Sequence, residues 1–132
     1  MPREPLNPAD LYDSVQFGFS HGAVQRSAGV LHLAGQVGWT KECELVSDDL
    51  AQQAKQALTN LKIVLAEAGA APKDILRLRT YVVDHAPEKL GPVLDAITAF
   101  YAGAVPAPNT FIGVQSLALP GILVEIEATA EL

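Results

Sequence analysis

The chain has 132 residues, 49% of them hydrophobic, and a mean hydropathy of +0.21. This length and composition provide material for one hydrophobic core, so we expect residues 1–132 to form a single domain. Nine Lys and Arg against fifteen Asp and Glu give a formal charge of −6. Such a charge repels phosphate backbones and anionic lipid, which argues against nucleic acid and membrane as partners.

The single cysteine, Cys43, cannot form an internal disulfide, which is typical of a reducing compartment. The first residues contain no apolar signal core, and no stretch is long enough to span a bilayer. We therefore expect a cytoplasmic protein. The three histidines, His21, His32 and His85, show no metal-ligand spacing, so no metal site is expected.

The N-terminal quarter of the chain predicts an arm followed by a hairpin. Residues 1–13 carry prolines at positions 2, 5 and 8 with little periodicity, and we expect an irregular surface arm. Residues 14–25 and 30–38 alternate in polarity around a turn near Gly29, which indicates an antiparallel hairpin. Gly35, in the second strand, would allow another backbone or a ligand to approach closely.

Two helices are predicted. After a polar connection in which Trp39 is interpreted as a loop anchor, Ser47 or Asp48 offers an N-cap. Apolar residues at spacings of three and four then predict an amphipathic helix that ends at Gly69: Leu50, Ala54, Ala57, Leu58, Leu61, Leu65 and Ala68. A second helix should follow Pro87, with Pro92 in its first turn, and end at Gly103. It would bury Val93, Ile97, Phe100 and Tyr101.

The remaining elements are predicted as strands. In residues 74–84, one side carries Ile75, Arg77, Arg79, Tyr81 and Val83, and the other Leu76, Leu78, Thr80 and Val82. Residues 106–114 and 123–130 are expected to pair with each other. In the last run, Val124, Ile126, Ala128 and Ala130 fall on one face, opposite Glu125, Glu127 and Thr129.

The order β-β-α-β-α-β-β predicts an α+β fold in which two helices cover one face of a single mixed sheet. The other face would carry Tyr81 and Val83, and a chain this short cannot cover it. We therefore expect a homo-oligomer with its sheets packed inward.

Several ordered blocks together resemble the Rid family, also called YjgF or L-PSP endoribonuclease-like. They are Ala34-Gly35-Gln36, the helix segment 56–61 with Glu67-Ala68-Gly69, the strand 74–84, and Val124 to Ala128. The resemblance covers residues 17–130. It implies a chorismate-mutase-like fold, a trimer whose sheets form an inner barrel, and ligand clefts between subunits.

The resemblance also implies a chemistry. The best-known members hydrolyse reactive enamines and imines released by pyridoxal-phosphate enzymes, giving a keto acid and ammonia without a cofactor. In them a strand arginine binds the substrate carboxylate and a glutamate in the last strand positions or activates water. Glu125 matches that glutamate, whereas Asn109 stands at the arginine position and Phe111 at a position often occupied by cysteine. Gly35 and Phe19 match positions that present backbone and an aromatic ring to the ligand. Gly35 could instead mark an ordinary bulge, and Phe19 could belong to the core.

The departure at Asn109 leaves alternatives open. An amide offers neutral hydrogen bonds only, so the substrate preference should differ from that of arginine-bearing members. Asn109 could instead be a strand-start residue bonded to a nearby loop. Glu125 could be a solvated strand glutamate, with Glu127 as the fallback acid. Arg77 and Arg79 could replace the missing cation or form ion pairs at an interface.

The resemblance implies a deaminase-like hydrolase of imines, enamines or related carbonyl compounds, with Glu125 acting on water and Asn109 holding the substrate. The alternative is a trimer that binds a small metabolite without turning it over. The ribonuclease implied by the family's other name is disfavoured by the net negative charge.

Overall fold

A computed structural model describes residues 3–132 of the chain. It contains six strands, β1 (Glu4–Leu6), β2 (Gly22–Gln25), β3 (Val30–Gln36), β4 (Ile75–Val83), β5 (Asn109–Val114) and β6 (Val124–Glu131), and two α-helices, α1 (Leu50–Glu67) and α2 (Pro87–Tyr101). The strands form one mixed sheet in the order β1-β2-β3-β6-β4-β5. The predicted α+β fold with two helices on one face of a single mixed sheet is confirmed.

The N-terminal arm is more ordered than its prolines suggest. Residues 4–6 form the strand β1, which pairs antiparallel with β2 at one edge of the sheet. Proline is tolerated there because an edge strand needs donors on one side only. The predicted hairpin is confirmed, since β2 and β3 pair antiparallel from Gly22 opposite Leu33 to Gln25 opposite Val30. Residues 1 and 2 lie outside the described part of the chain.

The predicted pairing of the last two strands is wrong. β5 pairs parallel with β4, and β6 lies between β3 and β4, antiparallel to both. The reason lies in the connection between β4 and β5, where α2 crosses over the sheet and returns the chain in the same direction. β6 is therefore a central strand.

Both helices form where predicted, but their N-terminal ends differ from the prediction. The N-cap of α1 is Asp49, whose side chain accepts a hydrogen bond from the Gln52 backbone N–H at 3.0 Å, rather than Ser47 or Asp48. α2 begins at Pro87 itself, so Pro92 lies inside the helix instead of in its first turn. The first residue of a helix has no intrahelical partner for its N–H, and proline has no N–H, so Pro87 suits the start of α2.

The core lies between the two helices and one face of the sheet. In β6 the alternation is confirmed, because Val124, Ile126, Ala128 and Ala130 are buried while Glu125, Glu127 and Thr129 lie on the opposite face. In β4 the alternation breaks at a bulge between Ile75 and Arg77. Ile75 is consequently buried like Leu78, and Leu76 is 47% exposed.

A buried glutamine attaches α1 to the loop that leads into β6. The Gln53 side-chain amide donates to the Ser47 and Gly121 carbonyls, each at 2.9 Å, and its oxygen accepts from the Leu123 N–H at 2.9 Å. Gln53 is fully buried, so these bonds are shielded from competition with water. They fix where β6 enters the sheet and thus where Glu125 lies.

Candidate active site

Glu125 lies on the sheet face that the helices leave open. In the sheet register it stands opposite Tyr81 of β4, one residue away from the buried Val124 and Ile126. On the other side, β3 has an irregularity in its pairing with β6 between Leu33 and Gln36, and this segment contains Gly35. A Cβ atom at Gly35 would lie 2.4 Å from Glu125 Oε2, so the carboxylate rests directly against the Gly35 backbone.

The Glu125 carboxylate contributes to a pocket of about 600 Å³. Most of its lining is aromatic or aliphatic, and one charged group, Glu125, takes part. The lining residues are Tyr12, Phe17, Phe19, Ala34, Gly35, Val37, Trp39, Ala118, Leu119, Ile122 and Glu125. A largely apolar pocket with a single convergent acid is the usual form of a small-molecule site.

The aromatic wall is built from three separate segments. Tyr12 is buried and comes from the N-terminal arm, while Phe17 ends a short 3₁₀ turn that Gly18 terminates with φ +88°. The Tyr12 ring centroid lies 5.2 Å from that of Trp39 and 6.4 Å from those of both Phe17 and Phe19. The interplanar angle is 58° with Phe17, a tilted pair, and 70° and 74° with Phe19 and Trp39, which are edge-to-face pairs, so the rings form walls rather than a stack.

A buried histidine positions the arm that carries Tyr12. His21 Nε2 lies 2.8 Å from the Tyr12 carbonyl oxygen, and His21 Nδ1 lies 3.0 Å from Gln36 Nε2. An amide nitrogen can only donate a hydrogen bond, so Nδ1 accepts from Gln36. The backbone carbonyl of Tyr12 can only accept, so Nε2 donates to it. The imidazole therefore bridges β3 to the arm. It has a structural role, because its two hydrogen bonds hold the arm against the sheet.

Burial and a neighbouring acid act together on Glu125. Burial, and secondly the nearby Glu127, raises the pKa of the Glu125 carboxyl above its ordinary value of 4.5. Glu127 shares this sheet face and accepts a hydrogen bond from the Tyr81 hydroxyl. Burial, followed by the influence of Cys43 and Glu125, raises the pKa of Tyr12 to about 12, so its phenol stays protonated at neutral pH. The site thus combines a readily protonated acid with neutral walls.

Three of the predicted site residues come together, and two do not within one chain. Glu125, Gly35 and Phe19 line the same pocket. Asn109 is in register with Leu78 and Phe111 with Thr80, two buried positions of β4, so both point to the helix side of the sheet.

The contacts of these two residues agree with that placement. Asn109 is exposed, and its side-chain oxygen accepts from the Thr80 hydroxyl at 3.1 Å. Phe111 packs against the core and lies 5.0 Å from the His85 ring. A cleft containing both Asn109 and Glu125 therefore requires two copies of the chain.

The two arginines of β4 lie elsewhere. Arg77 and Arg79 border a smaller cavity of about 140 Å³ together with Glu127, Ala128 and Thr129. Arg79 stands opposite Glu127 in the sheet register. Neither arginine lines the Glu125 pocket, so within one chain they do not supply the cation that is absent at position 109. Among residues 3–132 there is no group of three or more metal-ligating side chains.

Sequence reasoning missed Tyr12, Phe17 and Trp39 as pocket residues. Tyr12 lies in the arm that the prolines predict to be irregular, and the sequence around Trp39 indicates only a loop anchor. The available signal was the concentration of aromatic residues near the start of the first hairpin strand and just after the second. Antiparallel pairing of the two strands brings these segments together.

Comparison with known proteins agrees with this fold. The sequence profile of the Endoribonuclease L-PSP family matches residues 14–132. Mouse 2-iminobutanoate/2-iminopropanoate deaminase is 32% identical over 102 residues, which cover 76% of this chain and 72% of the mouse protein.

Solved structures of similar fold belong to the same family. YyfB from Yersinia pestis, a Rid-family protein described as of unknown function, is 56% identical, with full coverage of both chains and a TM-score of 0.77. A Mycobacterium tuberculosis member of the YjgF/YER057c/UK114 family is 27% identical over 99% of this chain and 100% of its own, with a TM-score of 0.80.

The chain is a member of the Rid family of small α+β proteins, the family whose profile carries the name Endoribonuclease L-PSP. The predicted family and the chorismate-mutase-like fold are thereby confirmed. Relatives at about 30% identity include proteins named as deaminases of imino acids. No helix in residues 3–132 is both long enough and apolar enough to cross a membrane.

Proposed function

We propose that this protein hydrolyses an imine, an enamine or a related small carbonyl compound in the Glu125 pocket. The observation that carries the proposal is a half-buried carboxylate, with a raised pKa, in an otherwise apolar pocket. General acid–base catalysis needs a group that changes protonation near the working pH, and burial shifts a carboxyl in that direction. Deaminase relatives at about 30% identity support the same chemistry.

In the proposed reaction Glu125 accepts and returns a proton twice. The ionised carboxylate accepts a proton from a water molecule as the water oxygen attacks the carbon of the protonated imine, which gives a neutral tetrahedral carbinolamine. The protonated carboxyl donates this proton to the amine nitrogen, and the carboxylate then accepts the hydroxyl proton as the carbonyl forms and the carbon–nitrogen bond breaks. Glu125 passes that second proton to the released ammonia. Protonated imine and water are thus converted into a carbonyl compound and ammonium, and Glu125 returns to its starting state, so the scheme needs no cofactor.

We place this pocket at the interface of a homotrimer whose sheets face inward. The face that carries Glu125 also carries Tyr81, Val83 and Ile112, all half-buried and not covered by the helices. Asn109 is exposed at the start of the edge strand β5, where a second copy can approach. In this arrangement the Asn109 of one subunit faces the pocket of the next.

The amide at position 109 changes what the cleft can hold. An arginine binds a carboxylate through two charge-assisted hydrogen bonds, each stronger than the neutral bond that an amide can donate. A charge-assisted hydrogen bond contributes on the order of 1.5–3 kcal/mol, so its loss at position 109 weakens the binding of a carboxylate. We therefore expect an altered substrate preference, with a weaker requirement for an imino acid.

Ammonia release from imines generated in situ, including 2-iminobutanoate, tests the proposal. Glu125→Gln should lower kcat by roughly 10²- to 10⁴-fold, because it removes the proton acceptor while keeping the shape. Glu127→Gln is the matched control on the same strand and face, and it should keep most of the activity. Asn109→Arg should lower KM for 2-iminobutanoate.

Two results would contradict this scheme. Loss of activity in Glu127→Gln but not in Glu125→Gln would move the acid to Glu127. No ammonia release from any variant, including Asn109→Arg, would favour a trimer that binds a metabolite without hydrolysing it. Sedimentation equilibrium of the wild-type chain tests the trimer separately, and a monomer would remove Asn109 from the site.

A further inference from the structure

The Glu125 pocket has the construction of a site for organic cations. Four aromatic residues, Tyr12, Phe17, Phe19 and Trp39, line it. Phe17 is 52% exposed and Phe19 38% exposed, so both rings offer surface to a ligand, whereas Tyr12 is buried. Aromatic rings carry negative charge density on their faces, and a cation held against such faces is attracted electrostatically.

The charges around the pocket have the same sign. Glu125 contributes the one acidic group, and among the described residues no Lys, Arg or His lines the cavity. Glu127 lies two residues further along the same face, and the whole chain has a formal charge of −6. A ligand carboxylate placed here would face an acid and the negative faces of aromatic rings without a cation to compensate it.

We propose that the pocket of Tyr12, Phe17, Phe19, Trp39 and Glu125 selects compact organic cations with apolar substituents, an iminium or an alkylammonium centre, over ligands that place a carboxylate there. This inference rests on the proposed function because it assigns the substrate class of the same site. The cationic nitrogen packs against the aromatic walls, with Glu125 as its counter-ion, and the apolar substituents contact Val37, Ile122 and Leu119.

The iminium form also suits the chemistry. A protonated imine carbon is more electrophilic than a neutral one, and a nearby carboxylate favours protonation of the imine nitrogen. One carboxylate can then stabilise the bound cation and accept a proton from the attacking water. The substrates selected are imines that carry no acid group near the reacting carbon, such as those formed by oxidation of simple amines or from aldehydes.

Binding of three probes of similar shape and different charge tests the inference on the full-length protein. Choline carries a trimethylammonium group, 3,3-dimethyl-1-butanol is its neutral counterpart, and 3,3-dimethylbutanoate has the same tert-butyl group with a negative charge. Isothermal titration calorimetry measures each affinity. Fluorescence of Trp39, the single tryptophan, reports whether the probe enters this pocket.

Choline should bind at least roughly tenfold more tightly than the neutral alcohol, which corresponds to about 1.4 kcal/mol, and 3,3-dimethylbutanoate should bind most weakly. Phe17→Leu should weaken choline roughly three- to tenfold and leave the alcohol nearly unchanged. Phe100→Leu is the matched control, because Phe100 lies in the groove between α1 and α2. It should change neither affinity.

Equal binding of choline and the alcohol, tighter binding of the carboxylate, or no choline binding at 100 mM would each overturn the inference. Ammonia release from imino acids in that case would leave the proposed hydrolase in place. Choline selectivity without ammonia release from any imine would uphold the cation site and remove the hydrolase. Since the ligand comparison uses the wild-type protein, instability of a variant does not affect the test.

Discussion

Replacing Gly35 by alanine should displace the Glu125 carboxylate without unfolding the protein. The added Cβ would lie 2.4 Å from Glu125 Oε2 and 2.8 Å from its Cδ, whereas ordinary contacts begin near 3.4 Å. The carboxylate must therefore move by about 1 Å, and a displacement of that size typically lowers a reaction rate by about 10²-fold. All three close atoms belong to the flexible end of one side chain, so the cost in stability should stay below about 1 kcal/mol.

The assay compares three identical substitutions. For each variant, kcat/KM for ammonia release and the free energy of unfolding in urea are measured. Gly91→Ala is the matched control, because Gly91 is an exposed position of helix α2 where a Cβ would meet nothing within 4 Å. It should keep full activity and gain about 0.5–1 kcal/mol from the better helix propensity of alanine.

Gly38→Ala should behave in the opposite way to Gly35→Ala. Its Cβ would lie 2.7 Å from the backbone Cα of Gln53, which cannot swing aside, so it should lose stability first. Full activity in Gly35→Ala, or a loss of stability as large as that of Gly38→Ala, would refute the contact with Glu125 as the reason for the glycine.

Two further predictions concern stability. Leu78→Ala should lower the free energy of unfolding in urea by about 2.7–5 kcal/mol, because Leu78 is fully buried. Leu76 is 47% exposed at the bulge, so Leu76→Ala should lower it by less than about 1 kcal/mol. Similar losses in the two variants would contradict the bulge. Since the pKa of Glu125 is raised in the folded state, the stabilisation from its protonated form is complete below pH 4.5 and is lost as the pH rises through the raised value. Thermal unfolding of Glu125→Gln should match the wild type at pH 4 and occur at a higher temperature at pH 8, and an unchanged difference between the two would contradict the raised pKa.

The sequence predicted those elements whose signal is local. The helix α1 and the buried face of β6 follow from spacings within one segment, and both are found as predicted. The partner of β5 could not be obtained in this way, because pairing depends on how α2 crosses the sheet. The bulge that buries Ile75 shifts the register by one residue. A prediction that assumes strict alternation of side chains between the two faces cannot detect such a shift.

The candidate site was predictable in part. Glu125 and Gly35 each lie within a block that resembles the family, and the structure brings these two candidate residues into contact. The aromatic pocket depends on the meeting of residues 12, 17 and 39, which are distant in sequence and belong to segments without periodicity. Asn109 was placed beside Glu125 by resemblance alone, and one chain puts the two residues on opposite faces of the sheet.

The central position of β6 has a consequence for how the molecule is made. The other five strands precede it in the chain, and it alone joins the β1-β2-β3 half of the sheet to the β4-β5 half. During synthesis these halves emerge from the ribosome first and share no strand pairing until residues 124–131 arrive. Folding therefore waits for contacts between segments about a hundred residues apart, such as Val30 with Glu131, and should be slow for a domain of this size. A nascent chain halted before residue 124 would present two open sheet edges to chaperones.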